Sequence, residues 1–154
     1  MACYNSGVIE LRPVTPDNYR ACIEMTVLPE QRGFVAPNLN SLAEAYVWPA
    51  GEARLIYRDD EPVGFVLFHP IEPERPAEGH CIVRFMVDQR FQGQGIARPA
   101  LRAAIAWIRQ EHHVDRVRLS VVPENDRARA LYRSEGFTET GEVDNGEIVM
   151  VLDR

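Results

Sequence analysis

The chain has 154 residues, 45% of them hydrophobic, and a formal net charge of −6. That length and apolar fraction suffice for one core, so a single domain over 1–154 is expected, and the acidic balance opposes a generic nucleic-acid surface, which needs clustered Lys and Arg. No apolar run reaches the roughly 18 residues of a membrane span, and the opening MACYNSGVIELRP lacks the basic-then-apolar order of a secretory leader, so a cytoplasmic protein without a membrane partner is expected.

Residues 8–13 (VIELRP) alternate apolar and polar, which predicts a strand ended by Pro13. Pro16 and Asp17 open a helix carrying Tyr19, Cys22, Ile23 and Met25. Gly33, Pro37 and Pro49 then break residues 30–51 into an irregular stretch suited to binding, within which Ser41 and Glu44 have capping-box spacing for a short helix. ARLIY, the turn RDDEP and VGFVLFHP predict a hairpin, and the charged, Pro-rich EPERPAEG an exposed loop. HCIVRFMVD is a central strand by its nearly continuous apolar run. A helix follows from about Gly95, with Leu101, Ala104, Ile105 and Ile108 at helical spacing. VRLSVV is a further strand, residues 125–135 a short helix with Asn125 as N-cap and Gly136 as its stop, and Asn145-Gly146 the turn of a closing hairpin. This order predicts an α/β domain with a mixed sheet, hairpins at both ends and a strand–helix–strand unit between them.

The junction QRFQGQGIARPAL, residues 89–101, stands apart. The first N–H groups of a helix have no partner inside it and carry partial positive charge, which suits a phosphate. Gly93 and Gly95 allow close backbone approach and a tight turn, and Pro99 fits only near a helix start, where its missing N–H is no loss. The pattern is neither GxGxxG, since Arg98 replaces the third glycine, nor a P-loop, since no Gly-Lys-Ser/Thr occurs. Cys3, Cys22 and Cys81 form no CxxC pair, so reduced thiols, two of them in the core, are expected in place of a disulfide framework or zinc site. No metal cluster is visible among the histidines: His112 and His113 fall at a helix end and His69 at a turn.

FMVDQRFQGQGIARPAL resembles the acetyl-CoA-binding motif of the GNAT superfamily of N-acetyltransferases, with Gln92, Gly95 and Ala97 filling its pattern. NDRARALYRSEGF is similar to the superfamily's second motif through Asn125, Ala128, Leu131, Tyr132, Gly136 and Phe137. The resemblance covers nearly the whole chain and implies a mostly antiparallel mixed sheet of six to seven strands flanked by helices, with a central parallel pair at the acetyl-CoA site. It implies that backbone of Phe85, Met86 and Val87 meets the pantetheine arm, that Gln92, Gly93, Gln94, Gly95, Ile96, Ala97 and Arg98 wrap the pyrophosphate, and that Asn125 and Tyr132 approach the thioester.

Acetyl transfer to an amine needs a neutral nitrogen, a polarised carbonyl and a proton for the departing thiolate. Tyr132 is the candidate acid, because a phenol can supply that proton. The resemblance assigns the carbonyl to a backbone N–H of residues 85–87. Its usual glutamate base has no counterpart, since Val83 and Arg84 occupy that region; His80, Glu24 or a water chain are the alternatives. EQRGFVAPNLNSLAEAY and TGEVDNGEIVM are similar to the branch that includes spermine and spermidine acetyltransferases, which points to a small-molecule polyamine acceptor. Glu24, Glu30 and Glu147 are the candidates to hold its second cationic nitrogen, with Glu44 and Glu142 also available. Rival readings are acetylation of a protein N-terminus, a lysine, an aminoglycoside or an amino-acid-like compound, and a non-catalytic acyl-CoA sensor. A homodimer is compatible with the sequence.

Overall fold

A computed structural model describes residues 7–154, so Cys3 lies outside the described residues. Seven strands alternate with four helices: β1 (Ile9–Pro13), α1 (Tyr19–Glu24), α2 (Asn38–Val47), β2 (Glu52–Arg58), β3 (Glu61–Pro70), β4 (His80–Val87), α3 (Ala97–His112), β5 (Val117–Val121), α4 (Asp126–Ser134), β6 (Thr138–Asp144) and β7 (Glu147–Leu152). They form one sheet in the order β1, β2, β3, β4, β5, β7, β6. All neighbours are antiparallel except β4 and β5, which α3 joins as a parallel pair.

The alternation of the strands divides the core into two layers. Phe68, Ile82 and Leu119 on one face meet Leu101, Ala104 and Ile108 of α3, together with Phe137. Leu55, Phe65, Leu67 and Met86 on the other meet Cys22 and Met25, at and just beyond α1, with Leu42 and Ala45 of α2 against their rim. β3 is therefore buried on both faces, which accounts for its unbroken apolar run. Asn38 ties this second layer together, since its Nδ2 donates to the carbonyl of Cys22 at 2.9 Å.

Local signals set several boundaries. Asn145 and Gly146 both have positive φ, 48° and 79°, as a type I′ turn requires. Asn125 accepts the N–H of Ala128 at 3.3 Å, and Gly136 at φ 99° follows the end of α4. Pro99 occupies the third position of α3. The capping box expected at Ser41 and Glu44 does not form. Ser41 lies one turn inside α2, fully buried, with its N–H bonded to the Pro37 carbonyl at 3.2 Å. Helix begins earlier because Pro37, at φ −55°, already directs the chain into it, and Glu44 turns to Arg84.

β4 carries a bulge. Leu67 pairs with Arg84 and Phe68 with Ile82, so Val83 is the extra residue. The parallel register with β5 ends at the same place, after Ile82 and Leu119. Beyond that point the two strands part and open the sheet. Among the described residues, no helix is long and apolar enough to cross a membrane, and no group of three His, Cys, Asp or Glu is placed to hold a metal ion.

Candidate active site

The gap between β4 and β5 is the floor of a cleft of about 1250 Å³. From Val83 onward the β4 edge that faced β5 has no strand partner, so the N–H and C=O groups along that edge point into the cleft. Phe85, Met86 and Val87 line this edge. Gly64 lets β3 approach β4 closely here: a Cβ at Gly64 would lie 2.5 Å from the Met86 carbonyl oxygen. A lone glycine inside a strand pattern signals such an approach, and that signal was available in VGFVLF.

At the end of β4 the chain turns through Asp88. Its buried carboxylate accepts from Arg90 N–H and holds the Arg90 guanidinium at 2.6 Å, which shapes the 3-10 turn Gln89–Phe91. Gly93 and Gly95 follow at φ 78° and 74° and lead into α3. The N–H groups of residues 93–98 find no acceptor among the described residues, so an array of donors faces the cleft at the positive end of α3. A Cβ on either glycine would meet nothing within 4 Å. The space there is open on the cleft side.

Not every side chain of this loop turns inward. Gln94 is exposed and accepts from Arg58 at 2.8 Å, outside the cleft lining. The Gln92 amide is taken up by Gln31 and by the Val87 carbonyl. Arg98 lines the cleft while pairing with Ser134 Oγ at 2.8 Å and with Glu135, and so joins the start of α3 to the end of α4.

Asn125 and Tyr132 reach the cleft from α4. Tyr132 is 8% exposed, packs edge-on against Phe137 at 5.9 Å, and its hydroxyl has no hydrogen-bond partner among the described residues. Burial, and secondarily the charge of Glu147, push its pKa up to about 12. The phenol is therefore neutral throughout the physiological range.

The three candidate glutamates separate. Glu147, half-buried at the start of β7, lines the cleft and has no ion pair among the described residues. Glu24 and Glu30 are exposed and lie outside the cleft lining, at the end of α1 and in the 3-10 turn Pro29–Gln31. His80 is not placed as a base: it lies outside the cleft lining, 1% exposed and stacked on His112 of α3 at 4.2 Å. Four groups missed in the sequence complete this wall. Arg84 pairs with Glu44 at 3.2 Å, and Arg118 pairs with Glu142 at 3.1 Å and lies 3.9 Å from Asp144. Cys81 is half-buried and lines the wall beside Arg118, whereas Cys22 is fully buried in the core. Glu44, Asp144 and Glu147 are the carboxylates of the cleft lining, and among the described residues Glu147 alone of the three has no arginine beside it.

A parted parallel pair, an open array of N–H donors at a helix start and a neutral tyrosine opposite them suit a thioester cofactor and a nucleophile entering from the other side. The acetyltransferase (GNAT) family profile matches residues 37–137. The chain belongs to that family. A spermine/spermidine N(1)-acetyltransferase of Bacillus subtilis is 32% identical over 151 residues, 93% of this chain and 97% of that one. An N-acetyltransferase of Escherichia coli that acts on an alanine of ribosomal protein uS5 is 28% identical over 73% of this chain and 66% of its own. In fold, the GNAT chain superposes on an aminoglycoside acetyltransferase in complex with coenzyme A with a TM-score of 0.78 at 18% identity, covering 96% and 95% of the two chains. As a GNAT enzyme it is an N-acetyltransferase, and its seven-stranded sheet with the parallel β4–β5 pair is the expected fold.

Proposed function

We propose that this acetyltransferase moves the acetyl group of acetyl-CoA to a primary amine of a polyamine, in the class of spermidine and spermine. The observation that carries the acceptor choice is Glu147, the one cleft-lining carboxylate without an ion pair among the described residues, near enough to Tyr132 for its charge to act on the phenol. The Bacillus relative supports the same class. Glu24 and Glu30 have no part in this reading, because neither reaches the cleft.

The donor lies along the free edge of β4, with backbone of Phe85, Met86 and Val87 against the pantetheine arm and the acetyl carbonyl on an N–H of that edge. The N–H groups of residues 93–98 hold the pyrophosphate, and Arg98 and Arg127 add positive charge on the α3 and α4 side. Asn125 and Tyr132 meet the thioester end. The neutral nitrogen attacks the carbonyl carbon, the C–S bond breaks, and the proton lost by nitrogen balances the one gained by sulfur. A phenol at about 12 releases its own proton reluctantly, so Tyr132 serves the departing thiolate as a hydrogen-bond donor. Glu147 holds a cationic nitrogen of the acceptor and steers its approach.

The test is a panel of amines at low ionic strength. Spermidine and spermine are expected to exceed butylamine and an N-terminal peptide in kcat/KM, with the preference shrinking as salt rises. Glu147→Gln should raise KM for spermidine about tenfold, the size of one charge-assisted hydrogen bond, while altering that for butylamine less than about threefold. A monoamine or peptide that beats every polyamine at low salt overturns the acceptor assignment.

A further inference from the structure

Gln31 and Gln92 face each other as paired amides across 61 positions of sequence. Gln92 Nε2 donates to Gln31 Oε1 at 2.9 Å, and Gln31 Nε2 donates back to Gln92 Oε1 at 3.1 Å. Gln92 Nε2 also donates to the Val87 carbonyl at 3.0 Å, and Gln31 Oε1 also accepts the N–H of Leu28 at 3.2 Å. Both side chains are half-buried. An amide nitrogen has two hydrogens, and both of those on Gln92 are spent on protein oxygens. The side chain of the motif glutamine therefore has no donor left for a ligand. It works as a strut.

The strut joins two walls of the cleft. Gln92 immediately precedes the N–H array of residues 93–98. Gln31 begins the segment 31–37, whose residues line the cleft and whose Phe34 N–H is bonded to the Gln31 carbonyl at 2.9 Å. Whatever fixes the loop on one side is transmitted through this pair to the segment on the other. We propose that Gln31 is a positioning residue: through its paired amide with Gln92, binding of the CoA diphosphate orders residues 31–37 and prepares the acceptor side of the cleft. Linkage then requires the acceptor to tighten CoA binding by the same factor. This proposal rests on the acetyl-CoA reading above.

Hydrogen–deuterium exchange of residues 28–37 with and without CoA tests it, since the readout needs no acceptor. In the wild type, CoA should slow exchange in this segment about tenfold. Gln31→Met keeps the length of the side chain but removes both amide bonds, and the slowing should fall below about twofold. Gln31→Glu can still accept from Gln92 but cannot donate back, so it should fall between. The CoA Kd by calorimetry should change less than about threefold in either variant, because the backbone donors are untouched. If Gln31→Met does not fold, Gln31→Glu decides alone, and wild-type protection in it overturns the proposal. Full protection in folded Gln31→Met means that CoA orders the segment by direct contact and overturns it as well. Unchanged exchange in a wild type that does bind CoA overturns the coupling only, whereas a wild type that binds no CoA overturns the coupling and the acetyl-CoA reading together.

Discussion

Gly64 lies against the Met86 carbonyl so closely that a Cβ would stand 2.5 Å from its oxygen, with the Ile56 side chain 3.2 Å away. The backbone oxygen cannot swing aside as a side chain could, so an added methyl pushes β4 away from β3 along the stretch whose opposite edge lines the cleft. Gly64→Ala is expected to cost about 1–3 kcal/mol of stability, or roughly 2–12 °C in Tm. It should also weaken acetyl-CoA binding, because Met86 moves. Calorimetric melting and titration check both; wild-type values in each would show that β4 yields without consequence.

Gly95 presents the opposite case. At φ 74° it sits in the left-handed region, yet a Cβ there meets nothing within 4 Å, so a side chain would enter open cleft and not the packed protein. Gly95→Val should remain folded with backbone strain of about 1–2 kcal/mol, while the Kd for acetyl-CoA rises at least about tenfold. Unchanged binding in a folded variant would remove residues 93–98 from the pyrophosphate site.

Tyr132→Phe deletes a hydroxyl that has no partner among the described residues. Stability and acetyl-CoA affinity should therefore stay near wild type, while the single-turnover rate falls on the order of 10²-fold. With the phenol at about 12, the wild-type pH–rate profile should show no descending limb from Tyr132 below pH 10. Wild-type turnover in the variant would return Tyr132 to a packing role against Phe137.

His80 gives the protein a pH-dependent stability. Burial first, then the nearby His112 and His69, lower its pKa from the ordinary 6.5 to about 4. Between those values the unfolded chain takes up a proton that the folded protein refuses, so stability falls as pH drops through 6.5 toward 4 and this group contributes no further loss below. A loss on the order of 1–2 kcal/mol would lower Tm by roughly 2–8 °C. Melting curves from pH 7.5 to 4.5 check the trend, and His80→Phe, which cannot titrate, should flatten it.

Features governed by neighbouring residues were legible in the sequence. The Asn145-Gly146 turn, the Asn125 cap, the stop at Gly136 and the place of Pro99 each follow from backbone sterics and one hydrogen bond within a few positions, and the alternation of strands and helices follows from apolar period. The same held for the donor array at the start of α3, because unpaired N–H groups are a property of any helix end. Ser41 and Glu44 mark the limit of such reasoning, since their spacing was right for a cap while Pro37 started the helix earlier and Arg84 claimed the glutamate. Only the tertiary structure decided where β4 and β5 part, because a bulge at Val83 is a mismatch between two strands and belongs to neither alone. It likewise decided that Glu147 reaches the cleft while Glu24 and Glu30 do not, and that Gln31 meets Gln92. A carboxylate or an amide has the same local chemistry wherever it stands, and the long-range packing of the sheet against its helices determines what it faces.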